Sequence, residues 1–186
     1  MNLLLIRHAE TKQDPNVPSS QWRLTERAYE ACEDLAKRLR RHNLSRIISS
    51  EEVKAKETGR VLAKHLGISW STAPNLHEHE RSGVPYTEQA AWLGRLESFF
   101  KHPDDLILGS ETGTQARRRF DSAARGVLGE YPNEPLAIVA HASVMALFVA
   151  HYNEVDVFSF WRGSKMPDVV ALSLPDFAIS HGRTRS

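Results

Sequence analysis

The sequence predicts an α/β fold, a three-layer sandwich in which a mainly parallel central sheet lies between helices on both faces. Short uninterrupted apolar runs at residues 3–6 and 136–140 are typical of strands that are covered on both faces. Around these runs, stretches with apolar residues at helical spacing alternate with shorter strand candidates, which is the order of a layered α/β fold. The chain of 186 residues is long enough to bury a substantial core, and we expect one domain across residues 1–186.

The opening strand leads into a loop and a first helix. Pro15 and Pro18 mark residues 12–23 as a loop, because proline favours turns and cannot continue regular structure. Thr25 then has the position of a cap for a helix whose apolar residues recur at helical spacing as far as Leu39.

A second strand and a second helix follow. Residues 47–48 form a short apolar strand, and Ser49 and Glu52 have the spacing of a capping box for the helix behind it. That helix should end at Gly67, since glycine adopts the left-handed conformation found after helix ends. Residues 68–71 are the third predicted strand.

A lid-like loop and helical region is predicted at about residues 74–113. Residues 74–87 are polar and rich in titratable groups, and loops of this length often close over functional sites. Apolar residues at helical spacing predict a helix around residues 92–99. The remaining predicted elements are a helix at 116–127, a helix after His141 that carries residues 144–151, a strand at 169–174 and a frayed tail at 181–186.

Composition and charge argue against several function classes. The 24 Lys and Arg residues balance the 23 Asp and Glu residues, so no overall field favours nucleic acid or an anionic membrane. Cys32 is the only cysteine, and it falls at an apolar helical position where a buried thiol is expected. No apolar run is long enough to span a bilayer or to act as a signal peptide. We therefore expect a cytoplasmic protein without a nucleic acid or membrane partner; no pattern assigns an oligomeric state.

Two histidines follow the two strongest strands. Arg7 and His8 end the first strand, and His141 ends the strand at residues 136–140. Because ligands of parallel sheets bind beyond the carboxyl ends of the strands, both imidazoles should lie at one crevice. A neutral imidazole can attack phosphorus, and the planar guanidinium of Arg7 suits phosphate oxygens.

The opening motif Arg-His-Ala-Glu-Thr at residues 7–11 resembles the Arg-His-Gly-Glu-Thr motif of the histidine phosphatase superfamily, the phosphoglycerate mutase-like group. Similar segments follow in the family's order along nearly the whole chain. They are Leu24-Thr25-Glu26, Ser49-Ser50 with Lys54-Ala55 and Thr58, Leu76-His77-Glu78, Ser110-Glu111-Thr112 with Arg119, and Val139-Ala140-His141.

The resemblance implies a role for several of these residues. His8 would be the nucleophile that forms a phosphohistidine, Glu78 would protonate the leaving oxygen, and His141 would donate to the phosphoryl group. Arg7 would bind the phosphoryl oxygens as well. The further substrate-binding candidates are Thr11, Asp14 and Lys54. Such chemistry needs positioning and compensation of charge, so we expect no metal and no cofactor.

The chain departs from the family pattern at four positions near these residues. Lys54 stands where the family usually has a second pocket arginine, and Asp14 stands where many members have an asparagine. Ala9 and Ala142 replace the usual glycines beside the two histidines. A lysine lacks the bidentate fork of arginine, and a carboxylate near phosphate would repel it unless it turns away.

Alternatives exist for some polar residues of the predicted site and its surroundings. Glu80 competes with Glu78 as the acid, and only the family spacing favours Glu78. His77 and His79 could bind a metal, but solvated loop histidines are the default, as is a solvated face for the arginines at 117–119.

We therefore predict a metal-independent phosphatase that hydrolyses phosphomonoesters through a phosphohistidine on His8. Its partner would be a small phosphorylated substrate or a phosphoprotein. The alternatives are a phosphoglycerate mutase-like phosphotransferase, a protein phosphohistidine phosphatase and a weakly active relative that binds phosphate ligands.

Overall fold

The computed structural model describes residues 1–81, 83–84 and 88–181. In this part of the chain a six-stranded sheet has the order β3-β2-β4-β1-β5-β6. The first four strands of that order are parallel, and the last two are antiparallel to their neighbours. The strands are β1 (Asn2–Arg7), β2 (Arg46–Ser49), β3 (Ser69–Thr72), β4 (Leu136–Ala140), β5 (Asp168–Ser173) and β6 (Ala178–His181).

Helices cover both faces of the sheet, as the predicted three-layer sandwich requires. Along β1, Leu4 and Ile6 join one apolar core with α1 and α2, whereas Leu3 and Leu5 join the other core with α3, α4 and α5. This alternation follows from the two-residue period of a strand. The helices are α1 (Glu26–Leu39), α2 (Val53–Leu66), α3 (Gln89–Lys101), α4 (Gly113–Glu130), α5 (Ala142–Tyr152) and α6 (Val157–Arg162).

The central pair of strands consists of β1 and β4, which lie side by side and parallel. Their register pairs Leu4 with Ala137 and Arg7 with Ala140, so the two strands end at the same level. Every residue of β4 is buried, which explains its uninterrupted apolar sequence. The predicted fold class, a mainly parallel sheet between helical layers, is confirmed.

Of the residues that the sequence predicts at helix ends, two have the predicted role and one pair does not. The side chain of Thr25 accepts a hydrogen bond from the Ala28 N–H and caps α1 as predicted, and Gly67 ends α2 with a φ of 70°. The predicted capping box of α2 is wrong. Ser49 belongs to β2, where its hydroxyl accepts a hydrogen bond from Trp70, and the Glu52 side chain makes no capping bond.

The lid-like region at about 74–113 contains α3 and an irregular segment before it. Part of the predicted loop, residues 82 and 85–87, and most of the predicted frayed tail, residues 182–186, lie outside the described residues. The role of this region as a lid stays a prediction. Among the described helices, none is both long and apolar enough to cross a membrane.

Candidate active site

His8 and His141 lie next to each other because the strands that carry them end at the same level. The His8 N–H donates a 3.0 Å hydrogen bond to the Ala140 carbonyl, which continues the β1–β4 ladder by one step. The centroids of the two imidazole rings are 5.3 Å apart, and the rings are tilted by 56°. The sheet therefore brings the two predicted catalytic histidines together.

The hydrogen bond of the His8 ring assigns its tautomer. Nδ1 of His8 lies 2.8 Å from the Ala9 carbonyl oxygen, and since a carbonyl can only accept, Nδ1 must carry the hydrogen. Nε2 then keeps its lone pair at neutral charge. Burial holds the pKa of His8 well below its usual value. Repulsion from the positive charges of protonated His141 and of Lys54 acts in the same direction. His8 has the protonation state that a nucleophile needs.

Thr58 of α2 fixes the peptide that follows His8. Its hydroxyl accepts a 3.0 Å hydrogen bond from the Ala9 N–H and donates a 2.8 Å hydrogen bond to the Lys54 carbonyl. All three residues are buried, so water does not compete for these bonds. The sequence places Thr58 in a family motif without a predicted role, and the structure shows that its hydroxyl holds the backbone of the loop that follows His8.

Two cations flank His8. Nη1 of Arg7 donates a 2.8 Å hydrogen bond to the Ser164 carbonyl, and the charge of Arg7 is among the causes that lower the pKa of His8. Lys54 is only 5% exposed, and its ammonium lies 2.8 Å from the Ser19 carbonyl and 2.7 Å from Oε2 of Glu52.

Glu52 is a site residue that the sequence does not single out. Besides its ion pair with Lys54, its Oε1 accepts a 2.8 Å hydrogen bond from the Glu78 N–H and lies 3.6 Å from Nε2 of His141. Burial alone would raise the pKa of Glu52, but His141 and Lys54 lower it to about 2. Its one sequence signal, capping-box spacing with Ser49, pointed to a local role in α2.

Glu78 places its carboxylate at the amino end of α5. Its two oxygens accept hydrogen bonds of 3.2 Å from the N–H groups of Ser143 and Val144, which have no partner within the helix. Arg81 lies 3.5 Å away and donates a 2.7 Å hydrogen bond to the Ser143 hydroxyl. Burial opposes ionisation of Glu78, yet Arg81, His141 and the N–H groups of His79 and Ser143 hold its pKa far below the usual range.

The segment that carries Glu78 is held from behind by Arg119 of α4. The Arg119 guanidinium donates to the carbonyls of Asn75, His77 and Glu78 and forms an ion pair with Glu111. The expectation of a solvated face at 117–119 is therefore wrong for Arg119. The sequence around Arg119 predicts a helix, but it does not predict that the side chain donates to three carbonyls.

The prediction that the loop histidines are solvated is wrong for His79. It is 2% exposed, its ring packs on Phe99 at 4.2 Å, and its Nε2 lies 2.8 Å from the Glu111 carbonyl. Burial lowers the pKa of His79. The neighbouring Glu80 is exposed and contacts Ser110 and His77, so of the two candidate acids Glu78 is the one next to His141.

Thr11 and Asp14 lie in the loop that follows His8. Thr11 pairs with Leu24 in an isolated antiparallel bridge. The Asp14 carboxylate accepts hydrogen bonds from the backbone and side chain of Asn16, at 2.9 and 3.0 Å, and so is bound within its own loop. Asp14 also lines a cavity of about 530 Å³ whose walls include Trp22 and Val53. The substrate-binding roles of Thr11 and Asp14 stay predictions.

A metal site in a protein needs several acidic, histidine or cysteine side chains that point to one place. Within the described ranges, no group of three or more of these residues is arranged to hold a metal ion. The prediction of a metal-independent reaction rests on the chemistry of the site residues and stays a prediction.

The fold and the paired strand-end histidines define an α/β protein of the phosphoglycerate mutase-like kind. Residues 3–182 match the family model of the histidine phosphatase superfamily, branch 1, and the chain belongs to that superfamily. No curated protein sequence matches the chain closely enough to add a relative.

Solved structures with the same fold cover nearly the whole chain at low sequence identity. A mycobacterial glucosyl-3-phosphoglycerate phosphatase is 16% identical with a TM-score of 0.74, covering 91% of this chain and 88% of its own. YhfR of Bacillus stearothermophilus is 20% identical with a TM-score of 0.77 and coverages of 98% and 96%. The phosphoserine phosphatase of Entamoeba histolytica, in complex with 3-phosphoglyceric acid, is 13% identical with a TM-score of 0.78 and coverages of 100% and 98%.

Proposed function

We propose that this protein is a phosphatase that hydrolyses phosphomonoesters through a phosphohistidine on His8. The observation that carries the proposal is the tautomer of His8. Its Nδ1–H is engaged with the Ala9 carbonyl, so a neutral Nε2 lone pair is available beside the cations Arg7 and Lys54. This arrangement supplies a nucleophile and compensating charge, the two things that phosphoryl transfer requires.

In the proposed reaction, Nε2 of His8 attacks phosphorus while the bond from phosphorus to the ester oxygen breaks. Glu78 gives a proton to that leaving oxygen. Water then attacks the phosphorus of the phosphohistidine while the bond from phosphorus to Nε2 breaks, and the ionised Glu78 accepts a proton from this water, which releases phosphate and restores neutral His8. Because its neighbours favour the ionised form, Glu78 must first take up a proton. The negative charge of an arriving phosphoryl group raises the proton affinity of a nearby carboxylate, which favours this step.

The proposal is tested by assaying p-nitrophenyl phosphate and a panel of alkyl phosphates with the wild type and His8→Ala. We expect the variant to lose nearly all turnover, because the proposed covalent intermediate forms on the imidazole that this change removes. Exposed His65 provides the matched control, and His65→Ala should keep full activity. Rapid acid-free quenching should trap a phosphoenzyme in the wild type alone. Turnover by His8→Ala, or none by the wild type, would reject the proposal.

For the substrate we propose a small phosphorylated molecule. Phosphatases of glucosyl-3-phosphoglycerate and phosphoserine share the fold, so phosphorylated sugar acids and phosphoserine belong in the panel. Phosphoproteins and phosphohistidine peptides test the protein-substrate alternative, and transfer of label between phosphoglycerates tests the mutase alternative. We further propose a cytoplasmic location, for which the buried Cys32 thiol gives weak support.

A second candidate, a weakly active relative that binds phosphate ligands, is favoured by one observation. The charge of Lys54 is balanced by Glu52 at 2.7 Å, which weakens the attraction of the pocket for a dianion. Titration calorimetry with inorganic phosphate and a panel of phosphate esters separates the candidates. Binding with no His8-dependent turnover would favour the relative, whereas turnover would favour the phosphatase.

A further inference from the structure

The buried carboxylate of Glu52 joins three parts of the site that come from different elements. Its Oε2 holds the Lys54 ammonium of α2 at 2.7 Å. Its Oε1 accepts the Glu78 N–H at 2.8 Å and faces Nε2 of His141 at 3.6 Å. The side chain is only 10% exposed, so these charges interact in a medium of low polarity.

The two nitrogens of the His141 ring have different surroundings. Nε2 lies 2.9 Å from the Ser50 hydroxyl and 3.6 Å from the Glu52 carboxylate. Nδ1 is buried and makes no hydrogen bond within the described part of the chain. A carboxylate favours a hydrogen on the nitrogen that faces it, so Nε2 is the atom that should carry the hydrogen in neutral His141.

This tautomer has a consequence for phosphoryl binding. With the hydrogen on Nε2, a neutral His141 can only accept at Nδ1, and it becomes a donor there when it takes up a second proton. A protonated ring would have Glu52 beside Nε2, and a phosphoryl oxygen bound at Nδ1 would place a second negative group beside it. Both would stabilise the imidazolium.

Resting on the proposed phosphatase function, we propose that Glu52 is a positioning residue whose carboxylate stabilises protonated His141 through Nε2 when a phosphoryl group binds. The same carboxylate keeps the Lys54 ammonium and the Glu78 segment in place. Glu52 thereby links the charge state of His141 to the residue proposed as the acid.

Groups from every neighbouring element act on the His141 proton. Burial is the largest cause that lowers the pKa of His141, Lys54 and His77 add to it, and Glu52 and Glu78 act in the opposite direction, with a net pKa of about 4. His8 adds a polar neighbour at 5.3 Å between ring centroids. A bound phosphate adds negative charge to this balance, so protonation of His141 should depend on both the anion and Glu52.

The first test uses the wild-type protein and needs no variant. Nitrogen chemical shifts of uniformly ¹⁵N-labelled protein report which ring nitrogen of His141 carries the hydrogen, with His141→Asn used to assign the signal. We expect the Nε2–H tautomer at neutral pH. The Nδ1–H tautomer would overturn the proposal, because Nε2 would then accept from the Ser50 hydroxyl and offer no hydrogen to Glu52.

The second test compares Glu52→Gln with the matched control Glu51→Gln, whose side chain is exposed. The pKa of His141 is followed by NMR in the presence of saturating inorganic phosphate. We expect Glu52→Gln to lower this pKa by at least about one unit relative to wild type, and Glu51→Gln to leave it unchanged. A smaller shift in the phosphate-bound Glu52→Gln protein would overturn the proposal.

Kinetics separate this proposal from the proposed function. If the protein is a phosphatase, Glu52→Gln should lower kcat more than tenfold and move the acid limb of the kcat profile, with a smaller effect on KM. A loss confined to KM would reject the link to His141. If no substrate is turned over, the NMR tests with inorganic phosphate still decide the role of Glu52.

Discussion

The two halves of the candidate site are built in different ways. The strand-end half, His8 and His141, is positioned by the backbone register of β1 and β4. The carboxylate half, Glu52 and Glu78, is positioned by side-chain contacts, which include hydrogen bonds between residues 26 and 66 positions apart in the sequence. Backbone ladders tolerate side-chain changes, whereas a network of buried polar contacts fails when one partner is removed.

This difference predicts how substitutions should behave. In the strand-end half, replacing a catalytic side chain should remove chemistry and leave the fold largely intact. In the carboxylate half, replacing a partner should also leave a buried charge without compensation, so activity and stability should fall together.

Glu78→Gln should give the largest effect in the carboxylate half. Without an acid, an alkyl leaving group must depart as an alkoxide, so kcat for alkyl phosphates should fall ~10²–10⁴-fold. The nitrophenolate group of p-nitrophenyl phosphate departs without a proton, so its kcat should fall far less. Glu80→Gln is the matched control two residues along the chain, and a larger loss there would make Glu80 the acid.

Arg119→Met should lower activity although Arg119 is not placed next to His8. The change frees the carbonyls of His77 and Glu78 and leaves the buried carboxylate of Glu111 without its partner. We expect a loss of about 3 kcal/mol in the free energy of unfolding and a roughly 10- to 100-fold fall in kcat. Urea unfolding and steady-state kinetics measure both quantities.

The adjacent Arg118 is exposed and serves as the control for Arg119. Arg118→Met should be within about 0.5 kcal/mol of wild type, as is usual for surface changes. If Arg119→Met matched Arg118→Met in both assays, the Glu78 segment would be held by its other contacts, and the contrast between the two halves would be weaker than proposed.

The same contrast explains what the sequence predicts and what it does not. An apolar run that ends in Arg7 and His8, and a second that ends in His141, suffice to predict adjacent strands and paired imidazoles. By contrast, Glu52 and Arg119 lie in polar helical surroundings that resemble ordinary solvated sequence. Their partners are carbonyls and carboxylates on distant loops, and residue spacing carries no information about such contacts.

At the antiparallel edge of the sheet, one short strand was not predicted from the sequence. Residues of β5 were predicted as a strand, but the short β6 after it was not. The strand is only four residues long, too short for a clear pattern, and it pairs with β5 at the sheet edge. Tertiary pairing decides the conformation of such short segments.

The buried histidines of the strand-end half should make the stability of the protein depend on pH. His141 has a folded pKa of about 4 against an ordinary value of 6.5, so the unfolded chain binds the proton first as the pH falls. Stability is therefore full above pH 6.5 and decreases as the pH falls towards 4. Between pH 7 and pH 5 this one histidine should cost about 2 kcal/mol of the free energy of unfolding, and His8 should add a loss in the same direction.

Urea unfolding at several pH values tests this expectation. His141→Asn should remove its share of the pH dependence, whereas His65→Asn should leave the dependence unchanged because His65 is exposed. An unchanged slope in His141→Asn would mean that the pKa of His141 is the same in the folded and the unfolded protein, contrary to its buried surroundings.

Thr58→Val should give the smallest effect, and it tests a place where a side chain supports the strand-end half. The variant removes the acceptor of the buried Ala9 N–H while keeping the shape of the side chain. The unsatisfied N–H should cost about 1 kcal/mol of stability. The Ala9 carbonyl that fixes the His8 tautomer belongs to the same residue, so kcat should also fall, by roughly 3- to 10-fold.

Thr58→Ser retains the hydroxyl and should recover most of kcat. If Thr58→Val kept wild-type kcat, the backbone of β1 and β4 alone would hold His8 in place, and the two halves of the site would differ even more than the contacts indicate.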